Sequence, residues 1–306
     1  MPIPTFCPLC NACSSSQSVV TNHVYGSVKK SYRAFFHCNE CDVRYQFPRL
    51  TPEEENRFYV AEFEAYMDGR AGVSGGWHSA ESHIIANENT RMRRMIYLEP
   101  HLGKGSRILE IGCSSGFMIH PLIEAGHDCV GVEPSGVFSD FLKKKGLVVY
   151  PDIQKLRKER SLKKFDLILH FFVLEHIQEP LTFLREQLGI LKKGGKLIFE
   201  IPNAADPLYS IFDIAEFERF YWSVAHPWYF SEASLKYLLS HLGCEYEVFR
   251  EQRYDLSNHL IWARDGRPGG MGRFDEHFGD ELNQMYKKRL IETGNCDTLV
   301  AVLTKT

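Results

Sequence analysis

From Ser106 onward, short apolar runs alternate with stretches of helical period, and this alternation restricts the fold more than any other feature of the chain. Residues 107–111, 128–132, 147–150, 166–171 and 196–201 read as strands. Helices fall between them, from the first strand to Ala125 and over 136–145 and 181–191. The Lys192-Lys193-Gly194-Gly195 turn ends the last of these helices. Parallel neighbours need a crossover connection, and the intervening helices supply it. The expectation is therefore an α/β fold, doubly wound, with a mostly parallel sheet covered on both faces. Residues 231–242 read as a helix with Gly243 past its end, and 244–250 and 297–303 as the last strands. The glycine-rich stretch 251–296 reads as an irregular insertion, of the length that forms lids or binding loops.

The N-terminal third follows other rules. Cys7-Pro8-Leu9-Cys10 and Cys38-Asn39-Glu40-Cys41 form two C-x-x-C knuckles with 27 residues between them. Four thiolates complete a tetrahedron around Zn²⁺ and leave no open position, so Cys7, Cys10, Cys38 and Cys41 are read as a structural zinc site. Residues 19–24 and 31–37 fit a hairpin between the knuckles, which makes residues 1–50 a zinc ribbon in outline. Cys13, His23 and His37 are spare. Thr51 caps a helix expected over 52–68, Gly69, Gly72, Gly75 and Gly76 mark a loop, and a second helix is expected over 79–98, stopped by Pro100. Residues 51–105 are thus a helical linker or lid ahead of a domain spanning 106–306.

The most informative loop is Arg107-Ile108-Leu109-Glu110-Ile111-Gly112-Cys113-Ser114-Ser115-Gly116-Phe117. A strand ends in an acid, a loop of small residues follows, and a helix then offers free N–H groups to a ligand. Glu133 ends the next strand, 17 residues past Gly116, where an acid can accept from ribose hydroxyls. The loop lacks G-x-G-x-x-G, and Glu110 would repel a pyrophosphate but suits a cationic amine.

Here the sequence resembles the class I S-adenosyl-L-methionine (SAM) methyltransferases. Glu110-Ile111-Gly112 through Gly116 resembles their first motif and Val132-Glu133-Pro134-Ser135 their ribose segment. Residues 165–177, with His170, Glu175 and His176, resemble their fourth strand, and residues 191–203 the turn and strand after it. The resemblance implies a Rossmann-like fold with Glu110, Gly112, Cys113, Gly116 and Phe117 bordering the methionine moiety. It further implies Glu133 and Pro134 at the ribose, Asp152 either near adenine or as a plain turn residue, and His170 near the cofactor. The zinc module followed by such a domain is similar to nucleotide-sugar C-methyltransferases. His226-Pro227-Trp228-Tyr229-Phe230-Ser231 matches their base-bearing run, although Ser223, Val224 and Ala225 depart from what precedes it there. This implies His226 as general base, His176 as the second candidate, and Trp222, Trp228, Tyr229 and His259 around an acceptor. The expected acceptor is a sugar, as a nucleotide sugar or glycan, or a related small molecule, methylated on oxygen or carbon.

Two alternatives compete. A zinc-ribbon RNA methyltransferase is disfavoured by the net charge of −3, since phosphate-gripping proteins carry a basic balance. The basic run between Lys143 and Lys164 reads as a solvated face. A non-catalytic SAM-fold binding module is disfavoured by the intact acidic and glycine positions. No apolar run is long enough for a membrane span and the first residues lack a secretory pattern, so the cytoplasm is the expected compartment. Oligomeric state is not encoded legibly.

Overall fold

The computed structural model describes residues 3–27, 32–58, 62, 66, 69–70, 80–159 and 163–306. Most of the expected glycine loop, including Gly72, Gly75 and Gly76, lies outside the described residues, as do parts of the helix expected over 52–68.

The N-terminal module holds β1 (Gln17–Thr21), β2 (Ala34–Cys38) and β3 (Arg44–Phe47). After α1 (Pro52–Arg57), whose Thr51 capping box is present, come α2 (Ala80–Ala86) and α3 (Glu88–Leu98). The second expected helix is therefore broken at Asn87. The α/β region runs β4 (Arg107–Ile111), α4 (Ile119–Glu124), β5 (Asp128–Val132), α5 (Gly136–Lys144), β6 (Val148–Tyr150), α6 (Ile153–Arg157), β7 (Phe165–Phe171), α7 (Pro180–Ile190) and β8 (Leu191–Pro202). It continues with α8 (Pro207–Ser210), α9 (Ala215–Tyr221), β9 (Trp228–Tyr229), α10 (Glu232–Ser240), β10 (Glu245–Glu251), α11 (Leu256–Asp265), α12 (Asp275–Thr293) and β11 (Thr298–Thr304).

Seven strands form one sheet in the order β10-β11-β8-β7-β4-β5-β6. β4, β5, β6, β7 and β8 are mutually parallel, and β11 runs against both β8 and β10. From β4 the chain winds outward to β5 and β6, then returns to β7 and β8 on the other side. The carboxyl ends of β4 and β7 therefore flank a topological switch point, where open α/β sheets bind ligands. The α/β fold with a central, mostly parallel sheet is as expected.

Two features depart from the sequence reading. The stretch 251–296 is not irregular: α11 and α12 occupy most of it, with Asp255 accepting from Asn258 N to cap α11 and left-handed Gly266 and Gly294 closing the two helices. Its glycines are turn and cap residues between and after the helices, apart from Gly279, whose φ of 67° and ψ of 166° kink α12. The expected hairpin is also part of something larger, for β1-β2-β3 continues into β9 as one four-stranded sheet. Arg44 pairs with Tyr229 and Tyr45 with Trp228, so the cysteine module and the loop before α10 share backbone hydrogen bonding.

Candidate active site

The cofactor loop is built by backbone geometry. Gly112, Ser114 and Gly116 have φ of 71°, 48° and 80°. A Cβ on Gly112 would lie 2.8 Å from Val173 Cγ2, and one on Gly116 2.6 Å from Leu142 Cδ2, so both positions require glycine. Gly112 N donates to Val132 O at 2.8 Å, which ties the loop to the end of β5. Glu133 accepts from Ser114 N at 2.7 Å and Ser135 N at 2.8 Å, a clamp that leaves carboxylate lone pairs for further donors. Pro134 is exposed beside it.

Glu110 is buried, and its Oε2 has no partner among the described residues. Burial pushes its carboxyl up to about 8, opposed by the Arg94 guanidinium. An orphaned buried carboxyl beside a left-handed loop fits a ligand that brings a cationic amine, as the methionine part of SAM does. Phe117 borders this loop, with His83 at 5.6 Å between ring centroids. His83 Nδ1 also lies 2.8 Å from Ser115 Oγ, so α2 covers the loop. Cys113 turns inward, and a Cβ on Gly131 would meet its Sγ at 2.8 Å.

Two further residues of the cofactor set are placed by the structure, and one, His170, needs correction. Asp152 caps α6, its Oδ1 accepting from Lys155 N at 2.6 Å, which is the turn alternative of the two expected for it. His170 is fully buried, stacked 4.7 Å from Phe199 and edge-on to Phe183, and burial lowers its pKa to about 3. Strand alternation explains this: Leu167 and Leu169 pack with Cys113, Phe117 and Met118 on the loop side, so His170 points to the other face.

The two candidate bases meet. His176 ends a 3-10 turn, Leu174–His176, just after β7, and His226 lies in the loop between α9 and β9. Their ring centroids are 4.5 Å apart at 87°. His176 Nδ1 lies 2.9 Å from Ala225 O, and a carbonyl only accepts, so the proton sits on Nδ1. Tyr229 Oη donates to Tyr221 O and therefore accepts from His226 Nδ1 at 3.0 Å. Both imidazoles thus carry their lone pair on Nε2. One side-chain atom from each of Glu175, His176 and His226 lies within 4.8 Å of the others. Burial pushes Glu175 up to about 8 and lowers His176 to about 4, while His226 falls well below the usual histidine range through burial and the neighbouring His176 and Arg70. These directions make the trio uncharged at neutral pH, a protonated carboxyl beside two neutral imidazoles.

The aromatic residues expected to wall an acceptor are placed differently. Trp222 is fully buried against Phe35 and Tyr229. Trp228 is buried beneath Arg49, 4.2 Å from its ring centroid, and donates to Gln178 O at 3.2 Å. Both are core: Trp228 packs with the cysteines in one apolar cluster and Trp222 with Phe35, Phe217 and Trp262 in another. Tyr229 orients His226. His259 sits on α11 with Nδ1 2.5 Å from Tyr286 Oη, buried in the helical pair.

Several residues at this end of the sheet escaped the sequence reading. Glu200 is wholly buried and pairs with Arg93 at 2.5 Å and Arg94 at 2.9 Å. Arg94 stacks over Phe171 at 4.0 Å, and Arg253 stacks over Phe172 at 4.3 Å while pairing with Asp297 at 3.3 Å. Arg91-Met92-Arg93-Arg94 reads in isolation as a solvated helix face, and no local signal marks the inward pair.

The four cysteines converge. Cys7 and Cys41 Sγ lie 3.7 Å apart and Cys10 and Cys38 Sγ 3.6 Å apart. A tetrahedral zinc with Zn–S of about 2.3 Å requires sulfur separations of about 3.8 Å. Leu9 N points at Cys7 Sγ at 3.4 Å, the amide-to-sulfur contact of a metal knuckle. The donor set fits the expected zinc.

The family model described as a methyltransferase domain matches residues 85–247. The chain belongs to this methyltransferase family. Among curated relatives, the methyltransferase is 22% identical over 160 residues to the "Ubiquinone biosynthesis O-methyltransferase" of Stutzerimonas stutzeri, covering 49% of this chain and 65% of that one. It is 30% identical over 162 residues to the protein of the same name from Coxiella burnetii, covering 50% of this chain and 66% of that one. The methyltransferase thus spans less than two thirds of the length of these relatives. A solved structure of the plantazolicin methyltransferase BpumL in complex with SAH is 14% identical, with a TM-score of 0.50 over 82% of this chain and 94% of that chain, a likeness of fold. Among the described residues no helix is long and apolar enough to cross a membrane.

Proposed function

We infer that the protein transfers the methyl group of SAM to a hydroxyl oxygen of a small-molecule acceptor, with His226 as general base. Bound SAM would supply an electrophilic methyl on its sulfonium. Glu110 would hold the amine, Glu133 the ribose hydroxyls, and the loop from Gly112 to Gly116 the carboxylate end. The acceptor oxygen would take the methyl group from the sulfur as the carbon–sulfur bond breaks, and His226 Nε2 would take the hydroxyl proton. The products are a methyl ether and S-adenosylhomocysteine. In-line alignment and base removal of the proton are the two tasks left to the protein.

The observation that carries this reading is the tautomer of His226, fixed by Tyr229 so that its lone pair is on Nε2, in a ring packed edge-on against His176 and grouped with Glu175. Burial keeps His226 neutral, and so available, but also weakens it as a base. Such a base takes a proton most readily from an acidic hydroxyl, a phenol or an enol, and less readily from a plain sugar alcohol. The relatives' name, an O-methyltransferase of ubiquinone biosynthesis, supports oxygen as the target; the nucleotide-sugar expectation finds no such support. The cysteine module would hold a structural zinc and form one functional part, with residues 51–105 as a cover and 106–306 as the catalytic region.

The test is labelled SAM with a panel of phenolic, enolic and nucleotide-sugar acceptors. His226→Ala is expected to lower kcat by roughly 10²–10⁴-fold on the accepted compound while S-adenosylhomocysteine affinity stays within about twofold. An unchanged kcat removes His226 as the base and makes His176 the next candidate.

A further inference from the structure

We propose that the four-cysteine module is a positioning element of the acceptor site: the metal it holds fixes the loop that carries His226, without contributing to cofactor binding. This rests on the reading of His226 as the base.

The loop is held from two sides by backbone bonds to the module. On one side Tyr25 N donates to Trp222 O at 2.7 Å and Val224 N donates to Tyr25 O at 2.9 Å. On the other, Gln46 N donates to Pro227 O at 2.9 Å, and β3 pairs with β9. Residues 222–229 are therefore spanned by the module's backbone, and the Gln46 side reaches the second knuckle directly. Cys38 ends β2, Cys38 N donates to Val43 O at 2.9 Å, and β3 begins three residues after Cys41. Ser231 Oγ donates to Asp42 O at 3.3 Å, directly beside the second knuckle. Tyr229, whose hydroxyl sets the tautomer of His226, is the register partner of Arg44.

The packing agrees with the hydrogen bonding. Cys7, Cys38, Cys41, Val43 and Tyr45 share one apolar cluster with Trp228 and Phe230. Cys113, Phe117 and Met118 of the cofactor loop belong to a different cluster, on the other face of the sheet. A module of this size buries too little apolar surface to hold its shape unaided, so metal binding is largely its folding energy. Losing the metal would release β3, and with it β9 and the histidine loop; β4 and β5 share the module's cluster through Leu109, Ile111, Val130 and Val132, but they stay paired in the middle of the seven-stranded sheet, and the loop between β4 and α4 keeps its packing on the other face with Ile108 and Cys129.

The experiment compares the full chain with one metal per protein, the chelator-treated chain, and Gln46→Pro. That substitution removes the N–H that reaches Pro227 and leaves the cysteines intact. Amide hydrogen exchange, S-adenosylhomocysteine calorimetry, metal content and turnover are read on each. Chelation is expected to raise exchange across residues 222–231 by roughly tenfold or more, with exchange over β4 and β5 unchanged and S-adenosylhomocysteine affinity within about threefold. Gln46→Pro is expected to keep its metal and its ligand affinity, yet show raised exchange at 222–231 and lower kcat. Protein that binds no metal at the cysteines, unchanged exchange at 222–231 after metal loss, or loss of ligand binding together with general unfolding would each overturn the proposal. If the loop loosens as expected but His226→Ala has full turnover, the coupling stands and the assignment of the base falls.

Discussion

Glu110 illustrates how one buried group can report on ligand binding. Its carboxyl, pushed up to about 8, holds a proton at pH 7 in the ligand-free protein. An ammonium group brought against Oε2 favours the ionised form, so binding must expel that proton. Calorimetry of S-adenosylhomocysteine at pH 7 in two buffers of different ionisation enthalpy is expected to show release of up to about one proton, and Glu110→Gln is expected to abolish it. Release that persists in the variant would place the titrating group elsewhere. Residue-scale reading of the sequence singles out Glu110, the loop glycines and Glu133, which the structure brings together after β4 and β5, because backbone geometry dictates residue type within a few positions. It failed for His170 and left Asp152 between two roles. A strand histidine near a motif does not disclose its face until register is known, and Asp152 satisfies a helix N-terminus first.

The element that most depends on a local cap is α10, which fixes where the histidine loop stops. Ser231 Oγ accepts from Ser234 N at 3.2 Å and Ser231 N donates to Ser234 Oγ at 2.9 Å, a reciprocal capping box. Ser231→Ala is expected to cost about 0.5–2 kcal/mol in urea unfolding. Because the cap adjoins the module through Asp42, amide exchange at the start of α10 is expected to rise as well, and a stability within about 0.2 kcal/mol of the parent would show the cap to be redundant. Helix caps and strand runs were readable at this scale. Stretch 251–296 was not, because glycines that terminate helices look in sequence like glycines that prevent them.

Across the whole molecule, buried titratable groups of opposite kind set the response to pH. Glu110, Glu175 and Asp206 are raised to about 8, so between the carboxylate range and pH 8 the folded state binds more protons than the unfolded chain and stability falls as pH rises. His170, near 3, His176, near 4, and His226, well below the histidine range, act oppositely below pH 6.5: the unfolded chain binds more protons and stability rises with pH. The two sets offset each other below about pH 6.5, and of these six groups only the carboxyls act above it. The melting temperature of the ligand-free protein is expected to fall between about pH 6.5 and 8, and saturating S-adenosylhomocysteine to blunt the fall. A melting temperature that rises over that interval would mean that the carboxyls are ionised in the folded state.

The sequence by itself determined the alternating α/β architecture, the cofactor loop with its two acids, and the four-cysteine set, since each is written in spacings shorter than a structural element or in residue types that few other environments accept. The tertiary structure alone decided that His176 faces His226, that Arg94 turns inward to Glu200 across 106 residues, that Trp222 and Trp228 are core instead of pocket wall, and that β3 completes its sheet with β9. These contacts join distant segments, and an aromatic ring, an arginine or a histidine is compatible with many partners until packing and register select one.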